Sequence, residues 1–196
     1  MTRIIAGRAG GTVLQVPGAG TRPTSDRVRE SLFGALESAD ALRDARVADL
    51  YAGSGALGLE AWSRGAASVD LVERSGAAAA VAGRNTERVG AALGSTGAAR
   101  VHRSTVSGFL AVAHGPYDLV FLDPPYDLDD AELDAALAGL VPRLAPNALV
   151  IVERAARSPQ PVPPSQLTIE RHRRYGDTAM WWLRNEDPQP RAASQS

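Results

Sequence analysis

The chain has 196 residues, 44% of them apolar and 22% charged, which suits a single α/β domain with a short appendage and excludes both a disordered chain and a second full core. A formal net charge of −1 excludes a uniformly basic nucleic-acid wrapper, and the absence of cysteine excludes disulfides, thiolate nucleophiles and Cys-based zinc sites. His102, His114 and His172 lack ligand spacing, so no metal is expected; with neither a membrane-length apolar run nor a secretory leader, the expected location is the cytoplasm, with no membrane partner.

Residues 1–24 read as an N-terminal extension. Arg3-Ile4-Ile5 and Thr12-Val13-Leu14 flank a segment holding Gly7, Gly10 and Gly11, the pattern of a β-hairpin too short to fold alone. Between Met1 and Ser25 stand Arg3, Arg8 and Arg22 and no acid. Arginine offers a planar fork for phosphates and base edges, although each of these side chains reads equally well as a solvated surface charge. A helix is predicted next, because Val28, Leu32, Phe33 and Leu36 share one face and Ser25 and Asp26 suit its first turn.

Residues 25–184 form the predicted main domain. Strands are expected at Arg46–Tyr51, Ser68–Glu73, Ala99–Arg103, Asp118–Asp123, Ala148–Glu153, Gln166–Arg171 and Ala179–Arg184. Their alternation with helical patterns predicts an α/β fold, a seven-stranded and mostly parallel sheet flanked by helices. Leu133, Leu137, Leu140 and Leu144 mark a later helical face, and the four prolines between Ser158 and Ser165 mark a surface loop. Arg171-His172-Arg173-Arg174 is a second basic cluster, and residues 185–196 read as a disordered polar tail.

The first strand of the main domain runs into Asp49-Leu50-Tyr51-Ala52-Gly53-Ser54-Gly55-Ala56-Leu57-Gly58, a strand, a glycine-rich turn and a helix. Glycines at such a turn admit dihedrals that side chains forbid and let the backbone approach a ligand. The second strand ends at Glu73, whose carboxylate suits the two hydroxyls of a ribose. Gly53-Ser54-Gly55-Ala56-Leu57-Gly58 also matches the dinucleotide fingerprint, so a nicotinamide enzyme is an alternative at this point. Asp49 speaks against it: an acid beside the helix N-terminus repels a pyrophosphate but can hold the ammonium group of S-adenosylmethionine.

The apolar run Tyr117 to Leu122 leads into Asp123-Pro124-Pro125-Tyr126. Two prolines stiffen a loop at the carboxyl end of a strand, where open parallel sheets bind ligands. The Asp123 carboxylate and the Pro124 carbonyl can accept both hydrogens of one planar amino group while Tyr126 stacks on the attached ring. A base amino group is a poor nucleophile because its lone pair is delocalised. Binding both hydrogens favours pyramidalisation and aims the lone pair at a methyl donor, and positioning then supplies much of the rate.

On these residues the chain resembles class I S-adenosylmethionine methyltransferases with the (Asp/Asn)-Pro-Pro-Tyr amino-group signature. Arg3 to Gly7, Gly11, Arg22 to Phe33, Asp49 to Gly55, Val72-Glu73-Arg74, Asp123 to Tyr126 and Tyr175 to Thr178 are similar to the bacterial small-subunit rRNA guanine-N2 methyltransferase family, over nearly the whole chain except the tail. The resemblance implies a Rossmann-like fold, S-adenosylmethionine as donor, and a guanine of 16S rRNA in a small-subunit particle as acceptor, with the protein acting as a monomer. It implies cofactor contacts from Asp49, Tyr51, Ala52, Gly53, Gly55, Glu73, Arg74, Thr105 and Asp123, catalysis by Asp123, Pro124 and Tyr126, and RNA contacts from Arg3, Arg8, Arg22 and Arg27. One departure stands out. Where the family often has an acid for the cofactor's adenine, this chain reads Arg103-Ser104-Thr105-Val106, leaving Thr105 to serve through its hydroxyl or backbone. Methylation of adenine N6 in DNA or of a glutamine amide, and a non-catalytic RNA-binding role, are the competing expectations.

Overall fold

Val47, Leu119, Val120, Phe121 and Val150 are wholly buried, and strands apolar on both faces belong to a sheet covered by helices on each side. The computed structural model describes residues 2–18 and 25–186. A hairpin of β1 (Thr2–Arg3) and β2 (Val13–Leu14) precedes helix α1 (Asp26–Ser38). The sheet comprises β3 (Arg46–Leu50), β4 (Ser68–Val72), β5 (Ala99–His102), β6 (Tyr117–Leu122), β7 (Leu144–Ala155), β8 (Leu167–Tyr175) and β9 (Thr178–Asn185). Helices α2 (Ala56–Ser63), α3 (Gly76–Leu93), α4 (Val106–Val112) and α5 (Asp130–Leu140) lie between its strands in sequence.

The strand order is β5-β4-β3-β6-β7-β9-β8, parallel from β5 to β7, with β9 antiparallel to both its neighbours. The predicted α/β class and all seven strands are therefore present. Strand order reverses between β3 and β6, which opens a crevice at their carboxyl ends. One core lies under α1, α2 and α3 and includes Leu32, Phe33, Leu59, Val89 and Phe121; the other lies under α4 and α5 and includes Leu50, Leu122, Leu137 and Val152.

Three expectations change in detail. Leu144 is not on a helical face but begins β7: Pro142 has no N–H to continue a helix, and the chain leaves α5 through a 3-10 turn, Val141–Arg143. Strand β8 continues to Tyr175, so Arg171 to Arg174 lie within an exposed edge strand rather than beyond it. Asn185 closes β9 and donates from Nδ2 to the Ala145 carbonyl at 2.8 Å, carrying the sheet one residue past the expected domain end. Of the expected tail, residues 187–196 lie outside the described residues.

The hairpin is part of the main core. Ile4, Ala9 and Leu14 are buried in it, and burying side chains such as Ile4 and Leu14 contributes about 1.5–3 kcal/mol each. Helix α2 supplies polar anchors. The wholly buried Glu60 accepts from the Ile5 and Ala6 amides at 2.7 and 3.0 Å and from Arg64 Nε at 2.7 Å. Ser63 Oγ donates to the Ala6 carbonyl at 2.6 Å and accepts from the Ala9 amide at 3.0 Å. Gly7, with φ +81°, crosses α2 so closely that a Cβ would stand 2.2 Å from the Ser63 carbonyl oxygen. From α1, the buried Arg29 donates to the Arg3 carbonyl at 2.8 Å.

Candidate active site

The glycine-rich turn begins one residue earlier than the sequence suggests. Strand β3 ends at Leu50 because Tyr51 has a left-handed φ of 76°, and Gly53 and Gly55 repeat that conformation before α2 starts. The Tyr51 and Ala52 amides both donate to the Val72 carbonyl, at 3.1 and 2.9 Å, which folds the turn against the end of β4. Gly55 has no side chain to cap α2. Asp49 fills that role from the neighbouring strand, its Oδ2 accepting from the Gly58 amide at 2.9 Å.

Asp49 is only 1% exposed, and burial pushes its carboxyl up to about 7; the Gly58 hydrogen bond opposes the shift and the charge of Glu73 adds to it. A carboxyl balanced near neutrality becomes fully ionised when a cation arrives beside it. Glu73 clasps the turn from the other side, accepting from the Gly53 amide at 3.0 Å and from the Ser75 amide at 2.7 Å. A carboxylate offers about four acceptor positions, so both oxygens keep capacity for a diol.

Around this turn the other candidates differ in what their side chains are free to do. Tyr51 packs against the core under α5, and burial pushes its phenol up to about 12, with Glu132 adding and Arg74 and Arg154 opposing. Arg74 is exposed beside Glu73. Thr105 is the N-cap of α4, its Oγ1 accepting from the Gly108 amide at 3.1 Å, and its hydroxyl keeps a donor and a second lone pair.

The second loop leaves β6 beside the first. Leu50 and Leu122 are register partners, so the chain segments that follow them start about 4.8 Å apart. Asp123 is half-buried, Pro124 is buried, and Tyr126 is 56% exposed, the arrangement expected if a rigid acceptor pair lies beneath a ring open to stacking. The Leu128 amide closes the turn onto the Pro125 carbonyl at 3.0 Å. Asp129 then caps α5 by accepting from the Glu132 amide at 2.7 Å, and Arg154 holds Asp130 at 2.9 Å, so the loop is fixed at both ends.

Asn85 escapes the sequence reading. Wholly buried in α3, it accepts from the Gln15 amide at 2.8 Å and donates to the Gln15 and Ser54 carbonyls at 2.9 and 2.8 Å, tying the hairpin to the glycine turn. Its signal is one polar residue on the apolar stripe of Ala78, Ala82 and Val89.

The arginines do not gather. Arg3 and Arg27 are exposed, and α1 begins at the crevice end of the sheet, where Ser31 and Tyr175 share a 2.9 Å hydrogen bond. Arg8 is exposed too, but its amide donates to the Ser63 carbonyl at 2.8 Å and its guanidinium to the Leu93 carbonyl at 3.1 Å. Those partners end α2 and α3, at the amino ends of the strands, opposite the crevice. Arg22 lies outside the described residues. Among the described residues no cluster of three acidic or histidine side chains could hold a metal ion.

Comparison with known proteins agrees with this fold. Residues 2–184 match the model of the family described as Conserved hypothetical protein 95. The chain is 39% identical over 178 residues to Ribosomal RNA small subunit methyltransferase D of Escherichia coli K12, covering 90% of this chain and 86% of that one. A solved Escherichia coli structure superposes with a TM-score of 0.81 at 37% identity, over 94% of this chain and 98% of its own. The fold alone extends to magnesium protoporphyrin IX methyltransferase from Synechocystis, solved with bound S-adenosylmethionine: TM-score 0.65, 16% identity, 86% of this chain and 87% of that one.

Proposed function

The chain belongs to the Conserved hypothetical protein 95 family, and from that membership and the crevice geometry we propose that it transfers the methyl group of S-adenosylmethionine to the exocyclic N2 of a guanine in 16S rRNA. The observation that carries the reading is the register of Leu50 beside Leu122, which sets the glycine turn next to Asp123-Pro124-Pro125-Tyr126.

When bound, S-adenosylmethionine supplies a sulfonium methyl group that accepts an electron pair as the C–S bond breaks. Asp49 holds the ammonium group, Glu73 takes the ribose hydroxyls, and the Ala52 to Gly55 backbone packs against the amino-acid portion, with Tyr51, Arg74 and the Thr105 backbone around it. Asp123 and Pro124 accept the two hydrogens of the guanine amino group, concentrating its lone pair, and Tyr126 stacks on the ring. Asp123 stands at the atom that loses a proton once the N–C bond forms. Arg3 and Arg27 contact RNA phosphates near the crevice, and the protein acts as a monomer on a small-subunit particle.

The test is incubation with tritiated S-adenosylmethionine and, separately, unmodified small subunits, free 16S rRNA and duplex DNA, followed by digestion and identification of the labelled nucleoside. N2-methylguanosine from subunits or rRNA is the expected product. Label as N6-methyladenine, or none despite donor binding, would overturn the reading in favour of DNA or of a protein amide.

A further inference from the structure

Strand β8 is an outer edge of the sheet, and Arg171, His172, Arg173 and Arg174 are exposed along it. Among the described residues none of these arginines forms an ion pair. The one acid of the strand, Glu170, is held on both oxygens by Arg184, at 2.9 and 3.1 Å. Register places the basic side chains. Arg171 stands opposite Trp182 and Arg173 opposite Met180, both in the core under α1. Tyr175, next on that face, packs against the same core and bonds Ser31 of α1. Arg27 lies one turn before Ser31 on the same side of α1. Because β9 is antiparallel to both β7 and β8, Tyr175 marks the crevice end of β8. Arg27, Arg173 and Arg171 therefore make a row that starts at the crevice and runs down the edge of the sheet. Arg173 and Arg171 are about 7 Å apart along the strand, comparable with the step between neighbouring phosphates of an RNA strand.

Two aromatic rings steady this row. The Arg171 guanidinium lies over Trp182, 5.5 Å from the ring centroid, and the His172 ring stacks on Trp181 at 3.9 Å and 18°. A guanidinium held by its face keeps its in-plane N–H donors for a ligand and loses less freedom on binding. We infer that the β8 edge is an RNA-docking surface: Arg173 and Arg171 bind successive phosphates of 16S rRNA beside the target guanine, continuing the line begun by Arg27, while Arg174 adds charge on the opposite face of the strand. This assignment rests on the proposed function and says how the rRNA lies across the protein. Charges on an edge strand also deter pairing with another chain, but that task is indifferent to their sign. Phosphates require positive charge.

The experiment measures binding to unmodified small subunits and to free 16S rRNA across a range of salt, with methylation kinetics alongside. The double variant Arg171→Gln with Arg173→Gln should raise KM for subunits at least about tenfold and reduce the slope of log affinity against log salt by about 0.7–0.9 for each arginine removed, with kcat and S-adenosylmethionine affinity kept within about twofold. Arg173→Gln alone leaves the Arg171 stack in place and should give half of the slope change. Replacing both with Glu keeps charge on the edge, so the protein should stay free of aggregates while RNA binding weakens further. Arg43→Gln, 78% exposed beside the start of β3, should change none of these values. An unchanged slope and KM in the double variant would overturn the assignment. So would a loss confined to assembled subunits, which would put a ribosomal protein on the edge in place of RNA. N2-methylguanosine made by the wild type upholds the proposed function whatever the β8 variants do; its absence removes both.

Discussion

Asn85 and Gln15 hold each other by two hydrogen bonds, and the remaining Asn85 N–H bond ends on the Ser54 carbonyl in the glycine turn. One buried amide thus joins the N-terminal hairpin to the proposed cofactor site. Asn85→Ala leaves backbone groups of both partners unpaired and should lower stability by about 1–3 kcal/mol. The Gln15 amide should also lose its protection from hydrogen exchange and donor affinity should weaken; protection at Gln15 equal to the wild type would contradict the link.

The anchoring of the hairpin by Glu60 predicts a contrast between two carboxylates that share Arg64. Glu60 is wholly buried and also approaches Arg29 Nη1 at 3.9 Å, whereas Glu37, 2.9 Å from Arg64 Nη1, is 52% exposed. Breaking a buried ion network strands the remaining charges, so Glu60→Gln should cost about 3–5 kcal/mol in urea unfolding. Glu37→Gln should cost about 0–1 kcal/mol. Similar losses for the two would mean that Glu60 does not anchor the hairpin.

Asp49 gives a pH dependence. Its folded pKa of about 7 lies above the ordinary 3.8, so between those values the native state binds more protons than the unfolded chain. Stability contributed through this group therefore falls as pH rises across that window, while affinity for a cationic donor group rises toward pH 7 as the carboxyl ionises. Urea unfolding and isothermal titration, each run across this pH range, should show the stability and affinity trends flattened in Asp49→Asn, whose amide oxygen can still accept from Gly58. A donor affinity that keeps the wild-type pH profile in that variant would remove Asp49 from the ammonium site.

Much of this was legible in the sequence, for physical reasons. Central parallel strands are apolar on both faces, so runs such as Tyr117 to Leu122 announce themselves, and the two loops follow strand ends where an open sheet binds ligands. What stayed hidden depends on contacts between residues distant in sequence. Arg8 looks like the other basic residues of its segment until Ser63 and Leu93 fix it at the far end of the sheet. The capping of α4 by Thr105 shows only when the Gly108 amide is placed against its hydroxyl.

We propose a division of labour in which the glycine turn with Glu73 binds the donor and the Asp123 loop drives the reaction. Asp123→Ala, compared with Glu73→Ala, tests it most directly by measuring donor dissociation constants alongside single-turnover methylation at saturating donor. Asp123→Ala should leave donor affinity within about twofold and slow methylation at least about a hundredfold, because its acceptor matters most in the transition state. Glu73→Ala should weaken donor binding by about 1–3 kcal/mol and recover most of the rate at saturation. Equal loss of affinity and rate in Asp123→Ala, or unchanged donor binding in Glu73→Ala, would contradict the account.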